Sequence, residues 1–198
     1  MAYVIQGGRI SDKKDQQSPG DAELLVRAQA GDGEAFGVLY ERYAPPIHRY
    51  LYAHLSDRMD AEDLTEEVFL KVWQRLPGFQ QQGVPFVAFL MRVARNVLID
   101  HYRRTGRTEV EPLSDDSPLR DGQPEPADQA IANLEHQQLR RVLGQLREDY
   151  RHVLVARFLS GLSPEETAQV MGRSAGAVRV LQHRALESLR KLIDAHKD

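Results

Sequence analysis

Arg179, His183 and Arg184 lie within two turns of one helix, and such a face can meet nucleic acid. Guanidinium and imidazole groups reach phosphate oxygens and base edges. The residues around them supply a frame. Ser163 reads as a helix N-cap, with Pro164 at the first helical position and Glu166 closing a capping box. Ala168, Val170 and Met171 give a short helix one apolar side, and Gly172 ends it. Ser174 caps a second helix, where Val178, Leu181, Ala185, Leu189 and Leu192 recur at spacings of three and four. Short helix, glycine turn and longer helix match the helix-turn-helix, which lays its second helix in the major groove. An ordinary α-hairpin with a solvated basic face is the competing interpretation.

A second cationic group lies on the helix expected from Pro85 onward, with Phe86, Phe89, Leu90, Val93 and Val97 on its apolar side. Arg92, Arg95, Arg103 and Arg104 make it the most basic stretch, and Asp100 is its one acid. An exposed-looking Phe79 sits in the preceding loop, PGFQQQGV. Cations for phosphates and rings for unstacked bases suit single-stranded nucleic acid. A solvated basic face accounts for the same residues equally well.

The third charged group is acidic. The helix expected over Met59 to Leu76 buries Leu64, Val68, Val72 and Leu76, with Phe69 and Trp73 adding bulk. Asp60, Glu62, Asp63, Glu66 and Glu67 crowd its N-terminal half, where the helix dipole favours negative charge. Asp57, Asp60 and Asp63 lie three apart, but no histidine shares their helical spacing, so capping and solvation explain them without a metal. No phosphate-binding glycine loop, nucleophile motif or HExxH sequence is present, and neither an enzyme nor a cofactor is expected.

The remaining elements position these groups. Asp21 is expected to cap a first helix running to about Ala30. Phe36, Leu39, Tyr40, Tyr43, Ile47, Tyr50, Leu51 and Leu55 form the buried stripe of a second, which Pro45 and Pro46 should kink or split. Periodicity stops from Thr105 to about Asp128, in a proline-rich acidic linker. Helices resume near Gln129, one marked by Ile131, Leu134, Leu139, Val142, Leu143 and Leu146 and the next by Tyr150, Val153, Leu154 and Phe158, which Gly161 ends. No strand alternation stands out. The expected fold is all-α: a disordered tail over 1–20, a helical domain over 21–104, a linker over 105–128 and a second helical domain over 129–198.

Composition sets limits. The 198 residues are 41% hydrophobic and 28% charged, ordinary for a globular protein. Cysteine is absent, which fits a reducing cytoplasm, and no apolar run is long enough to span a membrane. The net charge of −3 is at odds with unaided binding to duplex DNA.

In this order, DAEDLTEEVFLKVW at Asp60 to Trp73, FLMRVARNVLIDHYRR at Phe89 to Arg104 and LSPEETAQVMGRSAGAVRVLQHRALESLR at Leu162 to Arg190 resemble the extracytoplasmic-function (ECF) class of bacterial RNA polymerase sigma factors. The resemblance runs from Asp21 to Ile193. It implies a sigma2-like domain that docks on core RNA polymerase and melts the promoter −10 element, and a sigma4-like domain that reads the −35 element. It implies docking of Asp60, Glu62, Asp63, Glu66, Glu67 and Trp73 on the β′ clamp helices, with the β flap as a second polymerase contact. It assigns −10 recognition to Phe79, Arg95, Asn96, Asp100, Arg103 and Arg104, with Asn96 at a pocket for a flipped-out base. An amide suits that role because it both donates and accepts on a base edge. Ser174, Arg179, Val180, His183 and Arg184 fall at the −35 positions. Promoter DNA and an anti-sigma factor are the further partners implied. The sequence departs from the family at Phe89, where tryptophan is usual, and at Ala177, Val180 and Leu181, which remove polar contacts. The rival reading is a stand-alone helix-turn-helix regulator with a helical sensor domain, which leaves the basic fourth helix unexplained.

Overall fold

The computed structural model describes residues 19–55, 57–80, 84–106 and 138–195. Among them every regular element is helical. The first group comprises α1 (Asp21–Gln29), α2 (Gly33–Tyr52), α3 (Arg58–Arg75) and α4 (Phe86–Thr105). The second comprises α5 over residues 138–144, α6 (Glu148–Leu154), α7 (Pro164–Met171) and α8 (Ala175–Ala195). The tail, the linker and the expected helix positions Ile131 and Leu134 lie outside the described residues.

The first bundle is built on α2, against which α1, α3 and α4 all pack. Leu39, Ile47 and Leu51 of α2 are fully buried, as are Val68 and Val72 of α3 and Leu90, Met91, Val97 and Leu98 of α4. These are the stripes at spacings of three and four, and their removal from water drives the assembly. Tyr40, counted in the stripe from sequence, is 38% exposed and packs edge-on to Phe69 instead.

Two expectations are corrected here. Pro45 and Pro46 do not split α2, which runs unbroken from Gly33 to Tyr52. A proline inside a helix removes a backbone hydrogen bond and costs about 3 kcal/mol. The residues one turn earlier, Glu41 and Arg42, are exposed and half-buried, so water can serve their carbonyls, while Pro46 itself is buried in the core. Asp21 does not cap α1. Gly20 holds the N-cap position without a side-chain bond, and the Asp21 carboxylate instead accepts from Arg42 and from the Tyr43 hydroxyl. That long-range contact fixes α1 against α2.

The second bundle is assembled around Val153, Leu154, Val155, Val178 and Ala185. Its local signals are realised. Ser163 and Glu166 form the capping box, and Gly172 ends α7 in the left-handed region at φ 64°. Ser174 accepts from the Ala177 N–H at 3.2 Å. The segment expected to continue α6 through Phe158 instead widens into a π turn over Val155–Leu159, with the Ser160 N–H bonded to the Val155 carbonyl. Phe158 is thereby turned out, at 43% exposed. The π turn meets α2, and α7 meets α4, so the two bundles lie against each other.

Candidate nucleic-acid interface

Arg179, Val180, His183 and Arg184 share the outer face of α8, and all are exposed. Val178 and Ala185 on the opposite side are fully buried against the bundle. The helix is therefore fixed by its apolar seam with its outer face open, as a helix that could enter a groove requires. Ser174 stands exposed at its N-terminus. Two side chains of this face are engaged by acids: Arg179 Nη2 lies 2.7 Å from Glu165 Oε1 of α7, and His183 Nε2 lies 3.5 Å from Glu187. Exposed pairs of this kind are worth little and give way readily to a phosphate.

On α4, Asn96, Asp100 and Arg103 project together into a cleft of about 330 Å³ between α3 and α4. Their spacing of four and three residues places them on one face. Arg103 Nη1 lies 3.6 Å from Asp100 Oδ1 as an ion pair. Lys71 and Arg75 of α3 line the opposite wall. Neither stood out from sequence, although both are cations within one turn at the end of a helix whose N-terminal half is acidic. The cleft has amide, carboxylate and cationic groups on polar walls, and its volume suits a single base or nucleotide.

The other residues expected at the −10 element are elsewhere. Arg95 is on a different face of α4, half-buried, and approaches Glu148 of α6 at 3.7 Å. Arg104 lies 3.2 Å from Glu67 of α3. Phe79 is not a free ring: it is half-buried, with its centroid 4.7 Å from Phe89 and 5.9 Å from Phe86. It packs instead into the aromatic cluster at the start of α4.

The acidic set on α3 divides in the same way. Glu62, Asp63 and Glu66 are exposed together. Asp60 is half-buried and faces His101 at 4.0 Å, and Glu67 is engaged with Lys71 at 2.7 Å as well as with Arg104. Trp73 is half-buried, 4.8 Å from the Phe36 ring. Two apolar residues join the exposed acids: Met59 is 71% exposed and Leu70 58%. These two lie off the buried stripe of Leu64, Val68 and Val72. Among the described residues, no three acids, histidines or cysteines come together as a metal site.

Comparison with known proteins settles what carries these faces. The Sigma-70 region 2 family model matches residues 39–108, and the Sigma-70 region 4 model matches residues 136–189. The ECF RNA polymerase sigma factor ShbA of Streptomyces griseus is 35% identical over 191 residues, covering 91% of this chain and 99% of that protein.

The chain belongs to the ECF class of RNA polymerase sigma factors.

The ECF sigma factor BldN of Streptomyces coelicolor is 36% identical over 180 residues, 90% of this chain and 68% of that relative. Among solved structures, CnrH in complex with the cytosolic domain of CnrY matches this sigma factor with TM-score 0.71 and 28% identity, over 88% of this chain and 97% of that one. The sigma factor RpoE in complex with the anti-sigma factor NepR from Bartonella quintana matches with TM-score 0.63 and 25% identity, over 81% and 98% of the two chains. These likenesses leave the stand-alone regulator without support, and their coverage takes in both helical bundles. Among the described residues no helix is long and apolar enough to cross a membrane.

Proposed function

We propose that this sigma factor divides its work between the two bundles as follows. The exposed face of α3, with Glu62, Asp63 and Glu66 between Met59 and Leu70, docks on the β′ clamp helices of core RNA polymerase in the cytoplasm. Acids surrounded by apolar contacts suit a basic helical partner, since the apolar residues supply affinity and the acids orientation. The cleft of Asn96, Asp100 and Arg103 with Lys71 and Arg75 takes a flipped base of the −10 element. The outer face of α8 reads the −35 element while the second bundle rests on the β flap. The acidic linker over 105–128 spans the enzyme between them. An anti-sigma factor is a further partner, a reading supported by the likeness to RpoE bound to NepR.

The observation that carries this proposal is the pairing of an open α8 face with a polar cleft on a separate bundle, because two DNA sites on one chain are of use only when a large enzyme holds them at fixed spacing. It also resolves the charge mismatch. Duplex affinity scales with the phosphates neutralised, and a chain of net charge −3 neutralises few. Polymerase adds its own phosphate contacts and raises the effective concentration of each bundle at its element. The test is an anisotropy titration of promoter duplex near physiological salt. The free protein is expected to bind no tighter than the roughly 10⁻⁴–10⁻⁶ M of non-specific association. A specific complex is expected once core enzyme is added. Tight sequence-specific binding by the free chain, unchanged by polymerase, overturns the proposal.

A further inference from the structure

Neither DNA reading nor polymerase docking requires the seam along which the two bundles meet. At its centre two imidazoles stack. The His54 ring, just beyond α2, lies 4.5 Å from the His152 ring of α6, with an angle of 26° between planes. The two residues are only 7% and 2% exposed. His54 Nδ1 lies 2.7 Å from the Tyr50 carbonyl, so this nitrogen carries the proton and donates. Its Nε2 is buried with no hydrogen-bond partner. His152 Nδ1 pairs with the Tyr50 hydroxyl at 2.7 Å, across the seam. Two backbone contacts flank the stack: Arg49 Nε donates to the Leu159 carbonyl at 2.9 Å, and Ser160 Oγ donates to the Pro46 carbonyl at 3.2 Å.

The charges facing the stack come from every element around it. The Tyr50 hydroxyl comes from α2 and Arg95 from α4, while Glu148 and Arg151 come from α6. From α5, Arg140 lies over the Tyr52 ring at 4.1 Å and donates to the Leu55 carbonyl. Among the described residues the acid at the stack is Glu148, which stands 3.6 Å from His152 Nε2 and 3.7 Å from Arg95. Among the described residues a proton added at His54 Nε2 would therefore meet no acceptor, with the other imidazole and two arginines nearby. Burial holds both rings below the ordinary histidine value; the neighbouring ring and Arg151 add to this at His54, and Glu148 only partly offsets it at His152.

We propose that the His54–His152 stack is a proton-operated latch: with both rings neutral it holds the two bundles together, and protonation of either ring parts them. The same closed arrangement holds Arg92 Nη2 on the Gln169 carbonyl at 3.1 Å and Arg95 against Glu148, so parting releases two cations of α4. Their use on DNA rests on the function proposed above; the latch does not.

The sign of the effect follows from linkage. In the parted chain each ring returns to a value near about 6.5. The closed chain binds fewer protons, so closure is fully favoured above that value and weakens as pH falls below it. The ratio of parted to closed chains rises by up to about tenfold per pH unit for each histidine that titrates.

The test uses the full chain. It has no native cysteine, so Glu23→Cys on α1 and Arg190→Cys on α8, both exposed positions, accept a dye pair. Energy transfer is compared at about pH 8 and about pH 5.5, bracketing the ordinary histidine value, with helicity followed by circular dichroism. Transfer is expected to fall on acidification while helicity holds. The His54→Asn/His152→Asn double variant, which keeps a polar group near each Nδ1 and cannot titrate, is expected to give a flat profile. His48→Asn is expected to retain the fall, because His48 stacks on Tyr52 outside the pair. Transfer independent of pH in the parent chain overturns the latch, as does a fall that survives in the double variant or one that tracks loss of helix. Should the double variant not fold, each single variant must give a shallower transition, and unchanged steepness in both overturns it equally.

Discussion

Arg104 of α4 and Glu67 of α3 lie 3.2 Å apart, tying together the two helices that form the cleft holding Asn96. Lys71 Nζ approaches the same carboxylate at 2.7 Å. Burial alone would push the Glu67 carboxyl up, but hydrogen bonds from Lys71 and Arg104, with their charges, bring it below the ordinary carboxylate value. Glu67 therefore acts as a clasp between the two helices, while Glu62, Asp63 and Glu66 stay exposed, Glu62 beside Arg58 at 2.8 Å.

The clasp has a pH signature. A carboxylate held below its unfolded value of about 4.3 contributes stability above that pH and loses it as pH falls through the folded value. Glu67→Gln should cost about 0.5–1 kcal/mol at neutral pH, the range for a partly exposed charge pair. The cost should be smaller at about pH 3, below the unfolded value of about 4.3, because protonation removes the charge that the two cations hold. Urea unfolding midpoints of parent and variant at the two pH values check this. An equal gap at both would mean that the carboxylate charge does not hold the helices.

Asn96→Ala should impair promoter opening more than polymerase binding. Its side chain lines the cleft and is exposed. Loss of one base-edge contact costs about 1–3 kcal/mol, or roughly tenfold in open complex. Permanganate reactivity of −10 thymines with assembled holoenzyme measures it, and normal melting removes Asn96 from the mechanism. Arg75→Ala, across the cleft, should weaken the holoenzyme–promoter complex evenly across sequences and lower its salt slope by about one if it neutralises a phosphate.

What the sequence foretold and what it missed divide by range of interaction. The capping box at Ser163 and Glu166, the turn at Gly172 and the cap at Ser174 are contacts within a few residues, so composition and spacing suffice. Asp21 had the same local credentials, but two groups a full helix away, Arg42 and Tyr43, claim its carboxylate. Pro45 and Pro46 carry a strong local veto that burial in the first bundle overrides. Phe79 and Arg95 carry no local sign of their partners, because the Phe89 ring and Glu148 are brought to them only by tertiary packing. The cleft was half legible: Asn96, Asp100 and Arg103 share a helical face, but Lys71 and Arg75 belong to another helix whose rotation no periodicity specifies.

The turn between α7 and α8 can be tested by itself. Gly172 sits at φ 64°, and a Cβ there would meet no atom within 4 Å. Replacement by alanine therefore costs backbone strain alone, about 1–2 kcal/mol, and asparagine should cost less because its side chain tolerates the left-handed region. Thermal unfolding of Gly172→Ala and Gly172→Asn checks the order. Equal midpoints for parent and both variants would show that the turn does not depend on this conformation.

Arg179 and Glu165 give the last prediction. Their ion pair at 2.7 Å leaves both side chains mostly exposed, at 61% and 60%. It therefore stabilises the bundle little, but it sets a carboxylate where a DNA phosphate would approach. Glu165→Gln should free the guanidinium and remove that repulsion, tightening holoenzyme binding to −35 DNA about two- to fivefold, the equivalent of up to about 1 kcal/mol. Selection on randomised −35 DNA separates the roles along the face. Arg179→Ala and His183→Ala should alter the preferred sequence, because arginine and histidine can read base edges. Arg184→Ala should weaken binding without altering it, as loss of a phosphate contact does. If Glu165→Gln left affinity unchanged and Arg179→Ala left the sequence preference intact, the α8 face would bind DNA through other residues.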